Sequence, residues 1–225
     1  MARDYPLRTL LYLLGNQREP MLKAQAYRPD LLVLVLDDLA PPEKAAGRAL
    51  VEGMIKEGAL AKARVAVRVN GLDTLEVTLD LKAMVRPGVR ALVVPRLELP
   101  GEVRELEAVV QDLERHAGLE VGSIRFLPAL ESPEALLRAG DIAGISSRVS
   151  ALVLGEKLAE LGTEERRGLA VAAALAGAAA VDAPYRKPGD REWLIEEARR
   201  AREMGYAGKA AIHPRQVAAI RQVFS

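Results

Sequence analysis

The sequence of 225 residues contains no cysteine, which excludes disulfide bonds and thiolate zinc sites. It has only two histidines, so it offers no histidine cluster for a metal. Charge of one sign is not in excess, because 32 lysines and arginines stand against 31 acidic residues, for a formal net charge of +1. That balance gives no global attraction to nucleic acid or to an anionic membrane, and we expect neither as a partner.

Long apolar runs and targeting signals are also missing. No stretch combines transmembrane length with uncharged flanks, and the Ala-rich run at 169–181 follows a charged segment. We expect no signal peptide, because the first residues lead directly into a structural run. No Gly-x-Gly-x-x-Gly pattern follows an early strand, so the nucleotide-binding fingerprint is absent. We therefore expect a cytoplasmic protein with no membrane partner.

What the sequence does contain is a regular alternation of short apolar runs and helical segments. Half of the residues are hydrophobic, which allows a substantial core. Most of the runs are apolar throughout, which is typical of strands that are buried on both faces. The eight predicted strands are 9–14, 31–36, 64–69, 89–94, 124–131, 149–154, 178–182 and 209–212.

Eight such units in a chain of this length predict one (β/α)8 barrel, a TIM barrel, over residues 1–225. An open, doubly wound sheet is the structural alternative. Pro41 favours a helix start, Thr163 is a plausible N-cap and Gly205 a plausible helix end. The predicted helices are 41–57, 77–84, 102–116, 134–142, 163–175, 190–204 and 215–224.

The fifth predicted strand has an unusual end. The apolar run that begins at Ile124 stops on a carboxylate, Glu131, and is followed by Ser132-Pro133. A carboxylate at the end of a buried strand loses hydration unless it meets a cation, a hydrogen-bond donor or water. In a parallel barrel this end of the strand lies at the rim that carries the chemistry. The alternative is that Glu131 caps the next helix or points to solvent.

Polar residues follow the other predicted strands as well. Carboxylates at several strand ends suit a hard cation such as Mg²⁺, which prefers oxygen ligands. Arg68 could hold a substrate carboxylate or a developing enolate oxygen, because a guanidinium donates two parallel hydrogen bonds. In chain order these residues are Gly15-Asn16, Asp37-Asp38, Arg68 with Asn70, Pro95-Arg96, Glu131, Glu156-Lys157, Asp182 and His213.

Each of these residues also has a purely structural interpretation. Asp37 and Asp38 could cap the helix that begins near Pro41. Arg68 could be the ion-pair partner of Asp37 or of Glu131. Asp182 could stabilise the turn at 184–185, and His213, which precedes a proline, could be a hydrogen-bonded structural histidine.

Several stretches, taken in order, match the pattern of one known family. The most specific match runs from Gly205 to Gln216 and reads Gly-Tyr-Ala-Gly-Lys-Ala-Ala-Ile-His-Pro-Arg-Gln. Through these stretches the sequence resembles the citrate lyase beta-subunit-like group of the HpcH/HpaI aldolase superfamily over nearly its whole length. The weaker matches are Arg8-Thr9 with Gly15-Asn16, Asp37-Asp38 with Pro41, Arg68-Val69-Asn70 with Asp73-Thr74, and Asp182-Ala183-Pro184-Tyr185.

The resemblance implies a magnesium-dependent carbon–carbon lyase, or the reverse reaction. Its substrate would be a 3-hydroxyacyl thioester such as citryl-, malyl- or citramalyl-CoA, and its products an acyl-CoA and a 2-oxo acid. By this resemblance Glu131 is catalytic and the first Mg²⁺ ligand, and Arg68 orients the substrate and stabilises enolate charge. Arg8 and Asn70 are, by the same resemblance, further substrate-binding residues.

The second metal ligand of the family is an aspartate, and this sequence has no aspartate there. Aligned backward from Gly162, Glu156 takes the position and could bind Mg²⁺ with a longer arm. Aligned on the preceding glycine, Lys157 takes it, and its ammonium could occupy the place of the cation. The second alignment implies a catalytically degenerate paralogue that binds a ligand or partner without metal.

The resemblance also sets expectations for the C-terminus and for assembly. Family members usually continue into a C-terminal lid over a neighbouring subunit's site. Here we expect that lid to be shortened or absent. By analogy with the family we expect a homo-oligomer, with a trimer favoured.

Overall fold

The computed structural model describes residues 5–187 and 189–225, and its central element is a closed barrel of eight parallel strands in sequence order. The first and last strands pair with each other, so the sheet has no edge. The predicted (β/α)8 barrel is therefore confirmed, and the open doubly wound sheet is wrong. The strands are β1 (Thr9–Leu14), β2 (Leu31–Val35), β3 (Val65–Arg68), β4 (Val89–Pro95), β5 (Arg125–Leu130), β6 (Ala151–Leu154), β7 (Ala179–Asp182) and β8 (Gly208–Ala211).

Helices surround the barrel and connect its strands. Within the described ranges none of them is long and apolar enough to cross a bilayer. Short 3-10 helices also occur at 25–27 and 156–158. The α-helices are α1 (Arg18–Ala24), α2 (Pro41–Lys56), α3 (Glu76–Met84), α4 (Pro100–His116), α5 (Pro133–Leu137), α6 (Ala139–Gly144), α7 (Thr163–Leu175), α8 (Arg191–Glu203) and α9 (Gln216–Val223).

Two local predictions differ from the structure. The single helix predicted at 134–142 is two helices, because Arg138 leaves the helical conformation with φ −106° and ψ 9° between α5 and α6. Thr163 is the first residue of α7 rather than its N-cap, a position that Gly162 occupies. Asp190 does cap α8, since its side chain accepts a hydrogen bond from the Trp193 amide at 3.1 Å.

The core has two layers, one inside the barrel and one between the strands and the helices. The inner layer is aliphatic, with small side chains such as Ala66, Ala91 and Ala129 beside Leu10 and Leu31. The larger outer layer packs the opposite faces of the same strands against the helices. Both faces of each strand are thus buried, which explains the apolar runs in the sequence.

A buried polar network joins β7 and β8 on their outer side. Asp182 accepts hydrogen bonds from Lys209 Nζ at 2.5 Å and Arg166 Nη2 at 2.7 Å. Gln216 accepts from the amides of residues 212 and 213, and its Nε2 donates to the Tyr185 carbonyl at 2.8 Å. These contacts fix the loop after β7 relative to the end of β8. Asp182 therefore forms ion pairs with two basic side chains rather than stabilising the turn that follows it.

Candidate active site

Four charged side chains come together at the carboxyl ends of four strands. Arg68 is the last residue of β3, Glu131 follows β5 directly, and Asp37 and Glu156 lie two residues beyond β2 and β6. All four line one cavity of about 280 Å³. This rim of a (β/α)8 barrel is where active sites of the fold are found.

The backbone at the end of β6 fixes the position of Glu131. The Gly155 amide donates to the Leu130 carbonyl at 2.8 Å, which places the two strand ends side by side. A Cβ atom on Gly155 would lie 2.5 Å from Leu130 O and 2.6 Å from Glu131 Cγ, closer than real Cβ contacts allow. Only glycine fits there, so the sequence keeps Glu131 in place by omitting a side chain on the adjacent strand.

Arg68 is the centre of the cluster. Its Nε donates to both carboxylate oxygens of Asp37, at 2.9 and 2.8 Å, and its Nη2 donates to Glu131 Oε1 at 2.7 Å. The three side chains are only 16, 5 and 12 % exposed, so these charge-assisted bonds lie in a poorly hydrated environment. Nη1 makes no hydrogen bond to any described residue and is available to a ligand.

The surroundings shift the pKa values of both Asp37 and Arg68. Burial raises the pKa of Asp37 to about 6, an effect that Arg68 opposes and that Asp38 and Glu131 reinforce. Burial alone would lower the pKa of Arg68, but the neighbouring acidic groups, Asp37 first, raise it overall. Arg68 is therefore a permanent cation, whereas Asp37 can take up and release a proton near neutral pH.

The second side of the cavity carries Glu156 and Lys157. Lys157 Nζ lies 4.0 Å from Glu131 Oε2, although its side chain is 75 % exposed. The Glu156 carboxylate contacts Arg186 Nε. Both side chains line the cavity, so the structure brings both candidates for the second metal-ligand position to the site.

The described ranges hold no group of three or more His, Cys, Asp or Glu side chains arranged to bind a metal. Magnesium, however, is often held by one or two carboxylates, with water and substrate oxygens completing its shell. Glu131 and Glu156 offer hard oxygen donors on neighbouring strand ends, and Glu131 Oε2 has no hydrogen-bond donor within the described chain. The donor set fits a two-carboxylate Mg²⁺ site, with Lys157 as a competing cation.

Arg8 lies at the other end of the barrel. It precedes β1, and its Nε and Nη2 donate to the Asp30 carboxylate, which precedes β2, at 3.1 and 3.0 Å. It lines a larger cavity of about 1410 Å³ at the amino-terminal ends of the strands, away from the rim carboxylates. The structure therefore does not bring Arg8 to Arg68 and Glu131, and this position does not agree with the prediction that it binds the same substrate.

Asn70 lies behind the cavity rather than in its wall. Its backbone amide and Nδ2 both donate to Asp80 Oδ2, at 2.8 and 2.7 Å, and its Oδ1 contacts Lys44 Nζ. Asn70 is 4 % exposed and does not line the cavity. Its amide is used to fix the loop after β3 against α3, so the predicted substrate contact is not present in this arrangement.

Two polar side chains of the cavity, Tyr12 and Arg96, were not predicted as site residues from the sequence. Tyr12 comes from within β1 and lines the cavity floor. Arg96 follows β4 with φ +56° and donates to Asp73 Oδ1 at 2.9 Å. Arg96 occurred in the sequence only as a strand-end residue, and Tyr12 had no signal beyond being the polar aromatic in an otherwise aliphatic run.

The family follows from comparison with known proteins. The model of the HpcH/HpaI aldolase/citrate lyase family matches residues 8–214. The chain belongs to this family. It is thus a member of a family of lyases, as the sequence motifs predicted.

Two curated relatives and one solved structure illustrate the similarity. Citrate lyase subunit beta of Haemophilus influenzae is 30 % identical over 97 % of this chain and 79 % of its own length. A (3S)-malyl-CoA thioesterase of Cereibacter sphaeroides is 30 % identical over 98 % of this chain and 78 % of its own length. The citrate lyase beta subunit of M. tuberculosis, solved with oxaloacetate and magnesium, shares the fold with a TM-score of 0.77 and 23 % identity, covering 98 % of this chain and 97 % of the other.

Proposed function

We propose that this protein is a magnesium-dependent carbon–carbon lyase. Its substrate would be a 3-hydroxyacyl thioester of the citryl-, malyl- or citramalyl-CoA type, and its products a 2-oxo acid and an acyl-CoA, with the reverse condensation also possible. The observation that carries the proposal is Arg68, largely shielded from solvent, between Asp37 and Glu131 at the carboxyl ends of the strands. The reported relatives support the substrate class, because one is named for citrate lyase and another for malyl-CoA.

The size of the cavity supports a small acid as the part of the substrate that enters it. A volume of about 280 Å³ suits a 2-oxo acid and leaves the CoA portion of a thioester outside. Val153, Leu154 and Ile212 line the cavity beside the charged groups. These apolar surfaces exclude water and strengthen the electrostatic contacts of the charged groups.

Glu131 and Glu156 would hold Mg²⁺ in this proposal. When bound, the ion supplies positive charge that favours ionised oxygens on the substrate. The carboxylate oxygens that Glu131 and Glu156 bring to the cavity support this assignment, and the M. tuberculosis protein of the same fold was solved with magnesium. The Glu156 carboxylate would have to exchange Arg186 for the ion, a rearrangement of an exposed pair that costs little.

Asp37 and Arg68 have different roles in the proposed cleavage reaction. Asp37 removes the proton from the 3-hydroxyl, since its pKa of about 6 leaves it mostly ionised at neutral pH. The bond between C2 and C3 breaks, C3 becomes the carbonyl carbon next to the carboxylate of the 2-oxo acid, and the electron pair of the broken bond moves into the thioester enolate. Arg68 binds the substrate carboxylate through Nη1 and stabilises the enolate charge. The proton held by Asp37 returns to C2 and gives the acyl-CoA.

Calorimetry with small acids tests the binding half of the proposal. We expect wild-type protein to bind oxaloacetate, pyruvate or glyoxylate in the presence of Mg²⁺ and to bind them more weakly in EDTA. Binding of none of the three acids would remove the support for this function.

The pH dependence of turnover follows from Asp37. Because the base must be ionised, kcat/KM is expected to fall about tenfold per pH unit below pH 6. Asp38 raises the pKa of Asp37, so Asp38→Asn should move this acid limb to lower pH. The measurement is kcat/KM between pH 4.5 and 8.5 for both proteins. A limb in the same place in the variant would remove Asp37 from the role of base.

A second candidate function is supported by Lys157, which lies 4.0 Å from Glu131 Oε2. In that case the protein binds a ligand or partner without metal, and the ammonium takes the place of the cation. The variant Lys157→Ala distinguishes between the two candidate functions. If the protein is a lyase, removing a competing cation tightens Mg²⁺ binding, by about threefold for so exposed a side chain. If it is a metal-free binder, the same change weakens 2-oxo acid binding, which EDTA does not affect.

The assembly is part of the same proposal. We propose a homo-oligomer, with a trimer expected from the family resemblance. Leu137 on α5 and Leu175 on α7 are both more than four-fifths exposed, and contact between subunits would remove such apolar side chains from water.

A further inference from the structure

Tyr12 carries a hydroxyl group that makes no hydrogen bond to the described part of the protein. It lies in β1, packs against the inner aliphatic layer and lines the floor of the cavity. Its hydroxyl is buried and has no hydrogen-bond partner within residues 5–187 and 189–225. A buried hydroxyl that forms no hydrogen bond lowers stability, because it has lost its bonds to water. Phenylalanine would fill the same space without that cost.

Tyr12 faces the charged cluster from the inner side of the barrel. Side chains alternate along a strand, so Tyr12 shares the inward face of β1 with Leu10. It lines the same cavity as Arg68, Asp37 and Glu131. The charges of Arg68, Asp37 and Glu131 all influence its ionisation, as expected for neighbours.

The protonation state of the Tyr12 hydroxyl determines whether it can donate a hydrogen bond. Burial raises the pKa of Tyr12 to about 12, so the group keeps its proton at neutral pH. A neutral phenol surrounded by aliphatic side chains offers a hydrogen-bond donor to any oxygen atom that reaches the floor of the cavity. A small acid bound to Arg68 Nη1 would bring carboxylate and carbonyl oxygens to this place.

We propose that the Tyr12 hydroxyl is held for the substrate and donates a hydrogen bond to an oxygen atom of its 2-oxo acid portion. This inference rests on the proposed function and adds a binding residue to the same site. The unpaired hydroxyl is then a preorganised donor that is satisfied only when the ligand arrives.

The test uses Tyr12→Phe, which removes one oxygen atom and leaves the ring. We expect the free variant to melt about 2–4 °C higher than wild type, because an unsatisfied group is gone. Its Kd for pyruvate with Mg²⁺, measured by calorimetry, should be about tenfold weaker. The same substitution is therefore expected to stabilise the protein and to weaken the binding of the ligand. Replacing a merely structural tyrosine would not give this combination.

Tyr206→Phe is the matched control. The Tyr206 hydroxyl is also buried but donates to the Arg166 carbonyl at 3.0 Å and does not line the cavity. Its loss should lower the melting temperature and leave pyruvate binding unchanged. Tyr12 has no reserved role if Tyr12→Phe is destabilised in the same way, or if it binds pyruvate as wild type does. If wild type itself binds none of the small acids, the proposed function fails and this inference fails with it.

Discussion

Glu131→Gln is expected to lower kcat/KM for thioester cleavage by roughly 10²- to 10³-fold while the protein stays folded. The substitution keeps the shape of the side chain but removes the charge that, in the proposed function, binds Mg²⁺. Arg68 would still be paired with Asp37, with two contacts at 2.8 and 2.9 Å, so no buried charge is left alone. Steady-state kinetics with a Mg²⁺ titration measure the effect, and the apparent affinity for the metal should fall as well.

Glu134→Gln is the control for this variant. Glu134 lies three residues further along the chain, at the start of α5, and is exposed. Removing its charge should leave kcat/KM within twofold of wild type. Equal activity in Glu131→Gln and Glu134→Gln would show that Glu131 is only a structural partner of Arg68.

Arg68→Met is expected to have the largest effect on stability as well as to abolish activity. It leaves Asp37 and Glu131 buried without the cation that bridges them, which costs about 3–5 kcal/mol in comparable buried pairs. Chemical denaturation at several pH values measures the loss. Arg96→Met is the matched control, because its pair with Asp73 is exposed and should contribute less than about 1 kcal/mol.

The pH dependence of the Arg68→Met penalty has a defined sign. Asp37 already has a pKa of about 6 in the folded protein, and losing Arg68 raises it further. At pH values below the ordinary aspartate pKa the group is protonated in both states, so it adds no penalty. Up to about pH 6 Asp37 keeps its proton in both folded proteins. Above that pH the wild type ionises while the folded variant stays protonated, so the variant loses stability relative to wild type as pH rises. A penalty that is the same at pH 4 and pH 8 would contradict the electrostatic account.

The sequence predicted those parts of the molecule that depend on chain order alone. Eight apolar runs separated by helices predicted the barrel, and residues that follow parallel strands must share one rim. That rule predicts from the sequence alone that Arg68, Glu131 and Glu156 lie close together. Applied strictly, it would also have excluded Arg8, which precedes β1 and therefore lies at the opposite end.

The remaining features depend on side-chain contacts between distant segments. Asn70 turns away from the cavity because Asp80 on α3 takes its amide groups. The Tyr12 hydroxyl is unpaired because no hydrogen-bonding group of the described residues reaches it, and no local sequence pattern predicts this. The position of the Glu156 carboxylate likewise depends on its contact with Arg186, from the loop after β7.

The most direct measurement is product formation from malyl-, citramalyl- and citryl-CoA with and without Mg²⁺. We predict that wild-type protein releases a 2-oxo acid and an acyl-CoA in equal amounts from at least one of these thioesters, and that EDTA stops the reaction. Release of free CoA without a 2-oxo acid, cleavage that persists in EDTA, or no reaction with any of the three would contradict the assignment of a magnesium-dependent lyase.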